Sequence, residues 1–182
     1  MTWTPPLAWF RITAIAIVVL TVAAGCGGSA SGDRGIGGST TTTPTTLGPT
    51  AAAVLSAYRA EWAAFEHAAA TSNIFDPMLP ATMVDPQLQE VRRNLAGDKV
   101  NGIVGRGTFT LHPRITSLTS TMATVVDCAY STSELVYADS GKPVPPSTPP
   151  EYDGVKATLV LVGSTWKVSQ QVVTDGSCSS GP

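Results

Sequence analysis

Asp127 is the strongest candidate acid or base in the chain, because it stands in an otherwise apolar run, Val125-Val126-Asp127-Cys128-Ala129. A strand sends alternate side chains to opposite faces, so Met122, Thr124, Val126, Cys128 and Tyr130 share one face and Ala123, Val125, Asp127 and Ala129 the other. If the second face is buried, desolvation would lift the Asp127 carboxyl toward the range of a general base, with Arg106 or Tyr130 as partner. If it faces solvent, Asp127 is a surface carboxylate or pairs with a Lys or Arg on an adjacent strand, which is the commoner case.

The chain has only two histidines, so a histidine triad or metal site would need both to converge. His67 projects nearly opposite the apolar stripe of its helix, which makes it a solvated residue without a role. His112 sits beside Pro113 at a strand end. No GxSxG, HExxH or Walker sequence is present. The series Gly102-x-x-Gly105-x-Gly107 runs in the wrong order for dinucleotide binding and precedes a strand, so its glycines read as bends or bulges. Cys128 and Cys178 lack CxxC or HxxxH neighbours, which leaves zinc without a ligand set. No metal or cofactor is expected.

The elements that must position these groups are legible from periodicity. Thr50 can cap a helix in which Val54, Leu55, Tyr58, Trp62, Phe65 and Ala69 recur on one face. Asp76-Pro77 and Asp85-Pro86 each open a further helical segment, the second carrying Leu88, Val91 and Leu95 and ending near Gly97. Strands are expected over 100–111, 116–118, 122–132, 135–137, 155–162 and 165–173, with tight turns at Leu118-Thr119-Ser120-Thr121 and Gly163-Ser164. Between them, 139–153 carries Pro143, Pro145, Pro146, Pro149 and Pro150 and reads as a stiff extended loop. Helices followed by strands argue for an α+β domain, the helices covering one face of an antiparallel sheet. Trp62 and Trp166, each the largest member of an apolar stripe, should meet in its core.

Composition bounds the rest. With 182 residues there is room for one domain plus a targeting segment. Lys and Arg total 11 against 13 Asp and Glu, so no basic field exists to hold nucleic acid. Residues 1–25 read as a signal peptide, with Arg11 ahead of the apolar core Ile12 to Ala24; Pro5 and Pro6 oppose a longer spanning helix. Residues 26–49 are almost wholly Gly, Ser, Thr and Pro after Cys26 and form a tether, whose roughly 25 to 30 Å span would lift a domain off lipid headgroups. Residues 50–182 form the single ectodomain.

Ala23-Ala24-Gly25-Cys26 resembles the lipobox of bacterial lipoproteins, with Ala23 where a Leu is usual. The resemblance implies that Cys26 carries diacylglycerol and anchors the chain to the extracytoplasmic face of the cell membrane. That leaves Cys128 and Cys178 as an even pair in an oxidising compartment, expected to be bonded to each other.

The order of lipobox, Thr/Pro-rich tether, Trp-containing helix, Asp-Pro-started helix and a terminal Gly163-Ser164-Thr165-Trp166-Lys167-Val168 resembles small actinobacterial envelope lipoproteins. Their ectodomains are similar to the nuclear transport factor 2-like (SnoaL-like, cystatin-like) superfamily, which implies a curved sheet wrapped round helices. That fold hosts enzymes and binding modules alike, so the resemblance carries no catalytic residue to this chain. The expected function is a non-catalytic binding or accessory module of the envelope, taking a protein or an apolar small molecule. The alternative is an isomerase- or cyclase-type SnoaL-like enzyme acting on a small hydrophobic substrate, with Asp127 as base.

Overall fold

Alanines fill the positions between the apolar residues of 51–70, a composition with high helix propensity. In the computed structural model, which describes residues 49–147 and 149–178, this segment is helix α1, Pro49–Ala69. The expected signal segment, Cys26 and most of the expected tether lie outside the described residues. Among those described, no helix is long and apolar enough to cross a membrane. Thr50 is not the cap: the helix begins one residue earlier, at Pro49, whose missing N–H costs nothing in a first turn.

Two further helices follow, α2 at Met78–Thr82 and α3 at Gln87–Val100. Both Asp-Pro pairs precede helices, but only the first Asp acts as a cap: Asp76 accepts the Met78 N–H at 2.9 Å, whereas Asp85 takes no backbone N–H of α3 and accepts from the Gln89 side chain at 3.1 Å. Gly97 does not end α3. The helix continues to Val100, and the left-handed residue that stops it is Gly102, at φ 67°.

The strand expected over 100–111 divides. Its centre is β1, Ile103–Arg106, and after a break comes the short β2, Phe109–Thr110. Gly107 makes the break at φ 88°, where any Cβ would collide with the Thr132 carbonyl. Then come β3 at Arg114–Leu118, β4 at Met122–Ser131, β5 at Glu134–Tyr137, β6 at Glu151–Val162 and β7 at Thr165–Thr174. β4 and β6 are central in a five-stranded antiparallel sheet, with β7 beyond β6 and both β2 and β3 along the other edge of β4. β1 pairs with β5 as a separate ribbon. Both expected tight turns are present, with Gly163 at φ 62° and Thr119 N–H donating to Met122 O at 2.8 Å.

Two boundaries differ for a shared reason: long-range pairing. β6 starts at Glu151, four residues before the apolar pattern begins, because 151–154 complete the ladder with 128–131. The Pro-rich excursion is partly tied down, since the Val144 N–H donates to Leu135 O and Pro143 bridges Val136.

The core has two parts. α1 presents Val54, Leu55, Tyr58 and Trp62 to Ala123, Val125, Ala129, Val155, Leu159, Trp166 and Val168 of the sheet. A second cluster joins Ala64 and Ala68 to Leu79, Met83, Val91 and Leu95 of α2 and α3. Trp62 and Trp166 are both buried in the first cluster, and the Trp62 ring lies 4.3 Å from that of Phe109. Cys128 and Cys178 are joined as a disulfide, their Cα atoms 6.1 Å apart, fastening the segment after β7 to the centre of the sheet. The edge of β7 is covered as well, Val84 donating to Val168 O and Gln87 Oε1 accepting the Gln171 N–H.

Replacing either Trp62 or Trp166 with Ala should destabilise the domain by ~3–5 kcal/mol, read by denaturant or thermal melting; near wild-type stability would contradict the packing. Reduction of Cys128–Cys178, which closes a 50-residue separation, should lower the melting temperature by several degrees, since such a bond contributes about 4 kcal/mol in the chain-entropy account.

Candidate functional site

Asp127 belongs to the buried face of β4, together with Val125 and Ala129. The exposed reading is therefore overturned, and the reason is tertiary: α1 lies on that face and covers it. Its partners are not those expected. Tyr58 of α1 donates its hydroxyl to Asp127 Oδ2 at 3.1 Å, and the His112 backbone N–H donates to Oδ1 at 2.8 Å. Arg106 instead donates to Ala70 O at 2.9 Å from an exposed position, and Tyr130, on the opposite face of β4, packs against Tyr152 at 5.0 Å. Burial, reinforced by the adjacent Asp127 charge, raises the Tyr58 pKa far above the ordinary phenol range, so Tyr58 remains a donor.

The place of His112 explains the second bond. β2 and β3 both pair with β4, but residues 111–113 between them leave the ladder. The carboxylate of Asp127 reaches across to take the N–H that the ladder no longer holds. The His112 ring points elsewhere, with Nδ1 3.4 Å from Cys128 O. Asp127 also borders an open recess of about 350 Å³ with Gly154, Val155, Lys156, Val172, Thr174 and Ser177, and His112 is not among its lining residues. The two groups do not converge on that recess.

Two arrangements escape the sequence reading. His67, in the last turn of α1, is exposed as expected, yet its Nδ1 lies 2.6 Å from Oδ2 of the buried Asp76. The Met78 N–H, and after it His67, hold the Asp76 carboxyl below its usual range. The pair clasps the end of α1 to the start of α2. The available signal was a histidine at a helix C-terminus followed closely by an Asp-Pro. The other is Glu61, 1% exposed, with Oε2 lacking any hydrogen-bond partner. Desolvation pushes its pKa up to about 8. Its signal was phase: three residues after Tyr58 and seven after Val54, it falls within the buried stripe, between the face toward the sheet and the Ala64/Ala68 face toward α2 and α3. Near the far end of β4, Glu151 and Asp153 are raised by burial first, with the charge of Asp175 adding to each. Among the described residues, no group of His, Cys, Asp and Glu is arranged to hold a metal ion.

No protein-family model matches the chain, and no curated protein matches it. Among solved structures it is similar to the intermembrane space region of the chloroplast protein ARC6, at 16% identity over 69% of this chain and 96% of that one, with a TM-score of 0.55. It is also similar to a protein with a cystatin-like fold from Caulobacter vibrioides, at 14% identity over 67% and 89% of the two chains and a TM-score of 0.44. An NTF2-like protein of unknown function from Prochlorococcus marinus matches at 14% identity over 73% and 97%, with a TM-score of 0.46. The likeness is one of fold alone.

Glu61 gives a pH signature whose sign follows from its pKa. The folded-state value of about 8 lies above the ordinary 4.5, so the folded protein holds a proton that the unfolded chain releases. Its contribution is fully present below about pH 4.5 and is lost as pH rises through about 8. Glu61→Gln, neutral at every pH, should be more stable than wild type at pH 9 and show a flatter melting profile between those values; parallel profiles would refute the assignment.

Proposed function

We propose that this chain is a membrane-anchored envelope lipoprotein of the small actinobacterial kind, held by diacylglycerol on Cys26. Its domain 50–182 acts as a non-catalytic binding or accessory module at the extracytoplasmic face, recognising a protein or an apolar small molecule of the envelope. Nucleic acid is not a partner. The observation that supports the non-catalytic reading is the engagement of Asp127. A general base acts through a free lone pair aimed at its substrate, and each oxygen of this carboxylate spends one lone pair on a donor of the scaffold, the Tyr58 hydroxyl and the His112 N–H. The alternative, a SnoaL-like isomerase or cyclase with Asp127 as base, asks for catalysis from a carboxylate that these two bonds already hold in a structural role. The anchor rests on Ala23-Ala24-Gly25-Cys26 at the end of an apolar segment.

If Asp127 is a structural carboxylate, Tyr58→Phe and Asp127→Asn should each destabilise, and the double variant should fall short of the summed losses by ~0.5–3 kcal/mol, as for residues in direct contact. Additive losses would mean that the pair is not coupled, and a fully stable Asp127→Asn protein would return the residue to catalytic candidacy. For the anchor, Cys26→Ala should move the protein from the detergent phase to the aqueous or uncleaved fraction. Unchanged partition with unchanged mass would dismiss lipidation.

A further inference from the structure

The turn end of the sheet, with the start of α1, carries no carboxylate. α1 lies parallel to β4, because Tyr58 meets Asp127 while Glu66, two turns later, accepts the Phe109 N–H beside Ser131. The start of α1, where the chain arrives from residue 48, is therefore at the end of the sheet that holds the β3–β4 and β6–β7 turns. The two turns adjoin, since the Leu161 N–H donates to Thr121 O. Residues 50–58, 115–126 and 157–166, which build this end, contain no Asp, Glu, Lys or Arg, and a cation at their border, Lys167, pairs with Val160 and donates to Pro80 O. They do expose Leu118, Met122 and Val162, at 40%, 49% and 46%. Met122 pairs with Val160, so Met122, Val160 and Val162 lie on one face of the sheet.

The opposite end also exposes apolar side chains, Phe75 and Val100 among them, and differs in its carboxylates. There β4 and β6 bring Glu151 and Asp153 together with Asp175, while Glu134 begins β5 and Asp139 follows it. α1 needs about 30 Å to reach that end, where Ser72 bonds Ile103 O and where α3 finishes at Val100.

We propose that the carboxylate-free end, with Leu118, Met122 and Val162 foremost, rests on the lipid surface and holds the acidic end outward. The proposal rests on the lipoprotein reading above. Two observations select lipid as the occupant. The chain enters this end from the proposed anchor at Cys26, so the two turns are the part of the domain nearest the attachment, and the expected Gly/Ser/Thr/Pro tether lets them reach the headgroups. The charge is also complementary in the relevant sense: an anionic leaflet repels the carboxylates of the far end, whereas uncharged Ser and Thr flanking a few apolar side chains enter the interface without a desolvated charge. Contacts too weak to bind a free domain become populated when the tether supplies a high effective concentration.

The test uses the full lipidated protein in vesicles of phosphatidylcholine and phosphatidylglycerol. Met122→Cys, Val162→Cys and, from the other end, Val100→Cys are each labelled with an environment-sensitive dye; Val100 is 86% exposed, so all three positions accept a label. The dye should emit to the blue and be quenched by brominated acyl chains at 122 and 162, and remain water-like and unquenched at 100. Equal behaviour at the three sites, or the larger response at 100, overturns the proposal. A blue shift at 122 without vesicles that grows with protein concentration also overturns it, assigning the end to contact between copies. A protein whose mass lacks diacylglycerol refutes the anchor itself, and the proposal falls with it; the mass separates that failure from the others.

Discussion

The Asp127 carboxylate is the joint on which the domain depends. It binds a hydroxyl from α1 on one oxygen and a backbone N–H from the interrupted edge strand on the other, so one side chain fixes the helix to the sheet and stabilises the gap between β2 and β3. A buried carboxylate is tolerable only when charge-assisted hydrogen bonds replace its lost water. Both partners are supplied here, and the pair becomes a constraint on register: sliding α1 by one turn would leave the buried Tyr58 hydroxyl without its acceptor and Asp127 with the His112 N–H as its remaining donor.

Other polar groups of the interior are less completely provided for. Glu61 Oε2 and Gln171 Oε1 are buried without partners, while Gln87 uses its own carbonyl to take a β7 N–H. Glu61 is the costliest of these as an anion, and its proton resolves the conflict by keeping the group neutral. It stands where the two hydrophobic clusters meet on α1, so the sheet-facing and helix-facing halves of the core share one polar point.

The distribution of charge gives the domain a direction. Uncharged turns gather where the chain enters, and carboxylates gather where α1 ends. The same arrangement serves the proposed anchor: attachment at one end leaves the other to face outward. The disulfide contributes to the polarity by holding 175–178, with Asp175, beside Glu151 and Asp153 despite their mutual repulsion.

The sequence by itself determined the α+β class, the three helical segments and both tight turns, because apolar periodicity, Asp-Pro starts and Gly-Ser punctuation are local signals. It also determined the Cys128–Cys178 pairing, through parity, and the shared burial of Trp62 and Trp166, through their stripes. Tertiary structure decided which face of β4 is covered, and with it whether Asp127 is a surface charge or a buried joint. Alternation names two faces but does not say which one a helix will occupy. It likewise decided that α3 runs past Gly97, that the glycine series splits one expected strand between two sheets, and that 151–154 join the ladder. Those boundaries are set by partners distant in sequence: Thr132 against Gly107, Ala69 against Gly105, and Ser177 against Gly154, where a Cβ would strike the Ser177 hydroxyl. Glu61 and the His67–Asp76 clasp belong with them, since their roles exist only once other elements have closed over α1.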